Sequence, residues 1–225
     1  FGYDLYLSGL PEVRMIGEFG FANARGLDDS TVAGTVIIHL PSSISTIGKS
    51  AFSAGHWVDS SKLTNINEIG ENAFQNSAVF SATKPNDFGL VQTYSLDIPG
   101  TCGTIAAGAY SNNGAVSAST LEVLNVQTGI THIGKATFSG HNALREVHLP
   151  DSLVTIDSAA FSDCNSLVSL RIPSSVTRIA EDAFDRASIV LSVENGSYAA
   201  YWAQENGYGY KYSDSATDDT SWLND

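Results

Sequence analysis

Nine residues near the end of the chain, VTRIAEDAF (176–184), restate a pattern already written as LVTIDSAAF (153–161) and ITHIGKATF (130–138). No other feature constrains the fold as strongly, because a chain made of copies must stack like units on one another. The unit is an Ile, three residues, a small residue and an aromatic. The Ile recurs as Ile16, Ile47, Ile69, Ile105, Ile133, Ile156 and Ile179. The aromatic follows as Phe21, Phe52, Phe74, Tyr110, Phe138, Phe161 and Phe184, preceded by Ala in five units, by Gly20 in the first and by Thr137 in the fifth. Successive aromatics are 31, 22, 36, 28, 23 and 23 residues apart, which gives a base period of 23 with insertions in three places.

Further columns fall into line with this register. Three residues before each Ile stands Val13, Ile44, Ile66, Cys102, Ile130, Leu153 or Val176. Upstream, five units carry an apolar-Pro pair that ends a short alternating run, as in LREVHLP (144–150) and LVSLRIP (167–173). Alternation with period two predicts a strand, and Pro ends it because it has no N–H for a sheet ladder. Each unit therefore reads as a short strand, a turn, an apolar patch and a tight bend bearing the aromatic. One unit cannot bury its own apolar face, so the units must stack, Ile on Ile and Phe on Phe. A small residue before the aromatic lets the bend close.

The segments IPSSVTRIAEDAFDRAS and LPDSLVTIDSAAFSDCNSL resemble the BspA-type branch of the leucine-rich repeats, and the likeness extends over residues ~10–193. The resemblance implies a β-dominated α/β fold class: a right-handed leucine-rich-repeat solenoid of seven coils, with a parallel concave sheet and short turns or helical bends on the convex side. The third repeat, around 58–74, is read as one residue short and without Pro. The inserts at 23–34, 75–92 and 111–119 are expected to be loops or short decorations. IVLSV (189–193) reads as a closing strand, and SYAAYWAQENG (197–207) as a helix with Ser197 as N-cap and Gly207 just past its end. Tyr198, Tyr201 and Trp202 are the expected lids on the last coil. The expected division is a solenoid over 1–193, a C-terminal cap over 194–212 and a polar acidic tail over 213–225.

Composition narrows the function. Eleven basic and 24 acidic side chains give a formal net charge of −13, which argues against nucleic acid and anionic membrane surfaces as partners. No apolar run approaches the roughly 18 residues of a membrane span. The chain opens FGYDLYLSGL without an initiator Met, as a processed piece would. Cys102 and Cys164 show no metal-ligand spacing and sit in different columns two repeats apart, so both are expected to be free structural thiols.

No convergent catalytic set is visible. The histidines, His39, His56, His132, His141 and His148, form no metal motif. His39 and His148 share a strand position but lie four repeats apart by count, roughly 19 Å. Asp28-Asp29 and Asp218-Asp219 fall in polar loops, and the NGS at 195–197 is a minimal glycosylation match. No cofactor or metal is expected, and the chain is expected to be monomeric. One outward strand column reads His39, Lys62, Asp97, Asn125, His148 and Arg171, and the next reads Ile37, Ser60, Ser95, Val123, Glu146 and Ser169. A second candidate surface is the aromatic group Trp57, Phe80, Phe88 and Tyr94, since aromatics bury much area with few rotors. The resemblance implies a non-enzymatic recognition or adhesion module of a secreted or cell-surface bacterial protein, binding protein or glycan on host or neighbouring cells. Two other readings stay open: a spacer within a larger surface protein, and a carbohydrate-binding or carbohydrate-active module.

Overall fold

The computed structural model describes residues 3–7, 13–22, 36–53, 57–85, 92–112 and 121–213. In them the repeat becomes a stack of coils joined by three backbone ladders. On the first, parallel pairing joins Tyr3–Tyr6, Val36–His39, Trp57–Asp59 and Ala78–Phe80. A second sheet joins Gln92–Ile98, Leu121–Val126 and Glu146–His148, and a third joins Ser169–Arg171, Val190–Val193 and Gly209–Tyr212. The second ladder pairs the repeating Ile residues directly, Ile16 with Ile47 and Ile69, then Ile105 with Ile133, Ile156 and Ile179. The third runs along the aromatic bends, where each ring-bearing residue donates its N–H to the small residue of the next coil. Phe52 reaches Ala73 at 2.7 Å, Phe74 reaches Ala109 at 2.8 Å, and Phe161 reaches Ala183 at 2.9 Å.

Seven rings stack as the spacing predicts. From Phe21 through Phe52, Phe74, Tyr110, Phe138 and Phe161 to Phe184, neighbouring centroids are 5.1–5.7 Å apart, with planes within 23° of parallel. The bend aims two consecutive residues inward: Ala51 and Phe52, or Ala73 and Phe74, are all fully buried. Extended backbone cannot do this, because successive side chains alternate faces. The residue two before the aromatic breaks the alternation by turning left-handed, with φ between 52° and 63° at Phe19, Ser50, Asn72, Gly108, Ala136 and Ala159. Thr137 replaces Ala without an orphaned hydroxyl, since its Oγ1 donates within reach of the Gly134 carbonyl at 2.7 Å.

In the column three residues past the aromatic, three side chains share a task, which is to donate a hydrogen bond to the carbonyl of the preceding coil's aromatic residue. Ser77 Oγ reaches Phe52 at 2.5 Å, His141 Nε2 reaches Tyr110 at 2.7 Å, and Cys164 Sγ reaches Phe138 at 3.3 Å. His141 is buried and its Nδ1 has no partner, so the neutral ring with the proton on Nε2 fits the site. Burial, opposed by the bond to Tyr110, holds the His141 pKa below the ordinary value of 6.5. As pH falls through 6.5 the unfolded chain takes up the proton and the folded one does not, so stability is lost on acidification. His141→Cys, which installs the other donor of this column, should remove that loss. In urea unfolding, the advantage of the parent chain over the variant should shrink below pH 6.5 by at most about 1.4 kcal/mol per pH unit.

Cys102 and Cys164 are both free thiols. Burial pushes them up, Cys102 to about 11 and Cys164 to about 12, far from the thiolate form that reacts. Titration with a thiol reagent at pH 8 should therefore count two groups in denaturant and none within minutes in the native protein.

Two expectations need correction. The third strand is Trp57–Asp59, not a segment centred on Lys62: Asp59 pairs with His39 and Trp57 with Ile37. The stretch from strand to Ile is longer there, with ten positions from Asp59 to Ile69 against eight from His39 to Ile47, although the whole step from Phe52 to Phe74 is one residue short of 23. Lys62 stands exposed in the turn beyond the strand, and Ser60 is buried with its Oγ on the Phe80 carbonyl. The 75–92 insert also does more than decorate. Its Ala78–Phe80 joins the strand ladder beside Trp57–Asp59, and Ala82–Pro85 pairs antiparallel with Gln92–Ile98. Phe74 and Tyr110 nonetheless touch at 5.2 Å, so the extra strand widens the sheet side alone and acts as a wedge.

The last coil is covered by the helix Tyr198–Glu205, which Ser197 caps by accepting from the Ala200 N–H at 3.2 Å. Its buried side is Ala199, Ala200, Trp202 and Ala203. Tyr198 and Tyr201 are not lids; they are 38% and 64% exposed. The second lid is Tyr208, which meets the Phe184 ring edge-on and carries its hydroxyl to within 3.0 Å of the Phe184 carbonyl and 2.9 Å of Glu181's. It thereby gives the last aromatic coil the donor that Ser77, His141 and Cys164 give to earlier ones. The cap also lends Gly209–Tyr212 to the strand ladder.

Candidate functional site

Along three of the short strands the middle residue is buried and its neighbours face outward, in Trp57-Val58-Asp59, Glu146-Val147-His148 and Ser169-Leu170-Arg171, whereas Ala78–Phe80 is buried throughout. The paired register lines these outward residues up. One column runs Tyr6, His39, Asp59 and Phe80, then Asp97, Asn125 and His148. The two parts meet where Ser81 bonds the 92–98 strand, its N–H to the Ser95 carbonyl at 2.8 Å and its Oγ accepting from the Asp97 N–H at 3.0 Å. Arg171 heads a continuation through Ser192 to Lys211. Counting the wedge strand, His39 and His148 are five strand steps apart, about 24 Å rather than 19.

Neighbours in this column hold one another. The Tyr6 and His39 rings stack at 4.3 Å and 7°. His39 Nδ1 lies 2.7 Å from Asp59 Oδ2, and Asp59 Oδ1 accepts the Ser61 N–H at 2.9 Å. Burial works to raise the Asp59 pKa, but the bonds from Ser61 and His39 outweigh it and hold the carboxyl below its usual range. Asn125 Nδ2 donates to Asp97 Oδ1 at 2.6 Å. Further along, His148 meets Glu146 at 2.8 Å, Arg145 meets Glu122 at 2.9 Å, and Arg171 meets Asp151 at 3.3 Å. Arg145, His148 and Arg171 are more than half exposed, and exposed pairs contribute little to stability. His148→Ala and Arg171→Ala should each move thermal stability by less than about 0.5 kcal/mol.

Of the aromatic group, three members come together. Tyr94 sits 5.3 Å edge-on to Trp57 and 5.2 Å from Phe80. Phe80 is buried, while Trp57 and Tyr94 are half-buried. Phe88 lies outside the described residues, as do His56, Asp28-Asp29 and Asp218-Asp219. The trio straddles the wedge, so the widened sheet side is where large rings find room. Counting the third strand back from Ile69 misses Asp59, and a column begun at His39 misses Tyr6 on the strand before it. The alternation WVD, repeating the outward–inward–outward order of IIH in the strand before it, carried the correct register.

Other titratable clusters are spaced along the outer ladders. Asp157 accepts from Arg178 at 2.6 Å and pairs with His132 at 2.7 Å, a surface triad within the second ladder. Among the described residues no group of three His, Cys, Asp or Glu is placed to hold a metal, and no helix is long and apolar enough to cross a membrane.

Parallel strands stacked over an Ile ladder and a ring stack define a β-dominated repeat solenoid of the leucine-rich kind. The chain belongs to the BspA type leucine rich repeat family, whose model matches residues 11–97 and 104–195 in six copies. A leucine-rich repeat protein from Bacteroides ovatus ATCC 8483 is 18% identical with a TM-score of 0.52, the alignment covering 94% of this chain and 51% of that one. A leucine rich cell surface protein from Faecalibacterium prausnitzii A2-165 is 15% identical with a TM-score of 0.47, covering 98% and 62%. The present chain therefore spans between half and two thirds of the length of these two proteins, and the likeness concerns the fold. No curated protein matches the chain.

Proposed function

We propose that the chain is a non-enzymatic recognition module of a secreted or cell-surface bacterial protein, and that its outward strand face binds a protein or glycan partner. The observation that carries this reading is the half-buried Trp57 and Tyr94 standing beside planar polar side chains that are fixed by their own hydrogen bonds. Rigid aromatics and pre-aligned polar groups lose little entropy on binding. Residues 1–193 form the solenoid, 194–212 its cap and 213–225 a tail in this proposal, with the isolated chain a monomer. The test is an array of glycans and extracellular matrix proteins probed with the purified chain. Binding that is lost in Trp57→Ala, with the melting curve intact, supports the proposal. No binding, or binding that survives both Trp57→Ala and Asn125→Ala, sinks it.

A spacer role is the second reading. It draws support from the C-terminal half of the face, where Arg145, His148 and Arg171 are each engaged with a neighbouring carboxylate. A chain that binds nothing on the array and keeps its full stability would favour it.

A further inference from the structure

We infer that the N-terminal half of the strand face, centred on Trp57, binds a neutral glycan, a sugar chain carrying no sulfate, phosphate or carboxylate. The inference rests on the reading of this face as the binding surface and assigns its ligand class. A pyranose has an apolar C–H face and a rim of hydroxyl groups, and it needs a protein surface that supplies both an aromatic plane and paired donors and acceptors. Trp57 and Tyr94 supply the aromatic surface, Tyr94 resting against the buried Phe80. Beside them Asp97 and Asn125, 2.6 Å apart, set an acceptor and an amide next to each other, the order that adjacent hydroxyls require. Asp59 is aligned by His39 and by the Ser61 N–H, so it need not be ordered when a ligand arrives. Successive members of a column are one strand apart, about 4.8 Å, a step comparable with the length of one sugar ring.

Charge decides which sugars. Asp59 and Asp97 line this stretch, and the Ser61 N–H and His39 hold Asp59 below the usual carboxylate range. A sulfated or sialylated chain would bring like charge against both carboxylates. A basic peptide has the favourable sign, but both oxygens of Asp59 and one of Asp97 are already occupied. What remains on offer is oriented hydrogen bonding. Turnover of the glycan is not part of the inference. Asp59 stays ionised and has no proton to donate to a leaving group, and it stands about two strand steps, roughly 10 Å, from Asp97 with Phe80 between them.

The experiment titrates the parent chain with neutral hexose and N-acetylhexosamine oligosaccharides, with sulfated and sialylated counterparts, and with an oligoarginine peptide. Each titration is run at about 50 and 500 mM NaCl, where a charge-driven complex weakens steeply and a neutral one does not. The expected result is binding of at least one neutral oligosaccharide with an affinity that changes less than about twofold with salt. Trp57→Ala and Asn125→Ala should each weaken it by about tenfold or more, and Arg171→Ala should leave it unchanged. Asn125→Ala carries the test if Trp57→Ala does not fold. Binding confined to anionic sugars or to the basic peptide overturns the glycan assignment. So does capture of a matrix protein alone that Trp57→Ala abolishes, although the recognition reading then survives. Absence of all binding overturns both.

Discussion

Phe161→Ala should destabilise the solenoid by about 3–5 kcal/mol, the range for removing a buried aromatic side chain. The ring is 1% exposed and lies 5.4 Å from Phe138 and 5.7 Å from Phe184. Its removal therefore forfeits the transfer of the ring and two stacking contacts, and leaves a void between two regular coils. Those coils cannot collapse into the void, because they are pinned by the N–H of Phe161 on Ala183 and of Phe138 on Ala160, both at 2.9 Å. In a solenoid each coil leans only on its neighbours, so the loss should also split cooperativity. In a background where Trp57 and Trp222 are changed to Phe, urea unfolding followed by Trp202 fluorescence, which then reports on the C-terminal cap, should precede the transition followed by far-ultraviolet circular dichroism. A loss under about 1 kcal/mol with a single coincident transition would mean that the ring stack is ornamental.

Gly140→Ala should cost about 3 kcal/mol without removing any apolar surface. Gly140 sits at φ +81°, and a Cβ there would run into the carbonyl of Asn112 in the preceding coil. The same position relative to the aromatic is held by Asn76 and Asp163, at φ 58° and 57°, residue types that tolerate the left-handed region. A matched substitution of opposite sign comes from Ala159, at φ 55° two residues before Phe161. Ala159→Gly relieves that strain and should be neutral to stabilising by up to about 1 kcal/mol. Thermal melts of the two variants beside the parent chain check both signs. A Gly140→Ala protein as stable as the parent would show that the coils are not in contact at this bend.

Much of this molecule is legible in the order of its residues, and the reason is local. From Ile156 to Phe161 the chain has no freedom in length, because a five-residue step must deliver one side chain to the Ile ladder and the next to the ring stack. The same step recurs in every coil, so the seven rings, the Ile pairing and the buried Ala column follow from counting alone. Ser197 before an apolar run marks its helix by equally local chemistry. Connections between ladders are different. Residues 60–66 face solvent for half their length, so counting back through them from Ile69 misplaces the strand, and only the alternation WVD before them marks that Asp59 rather than Lys62 pairs with His39. Strand pairing is a contact between distant parts of the chain, and a shift along a strand exchanges its faces. Only the folded stack decided that Ala78–Phe80 would enter the sheet as a wedge, and that Tyr208 rather than Tyr198 or Tyr201 would close the last coil. Only there, too, did Trp57, Phe80, Tyr94, Asp59 and Asp97 become neighbours, since their columns come together through packing across coils that no spacing along the chain encodes.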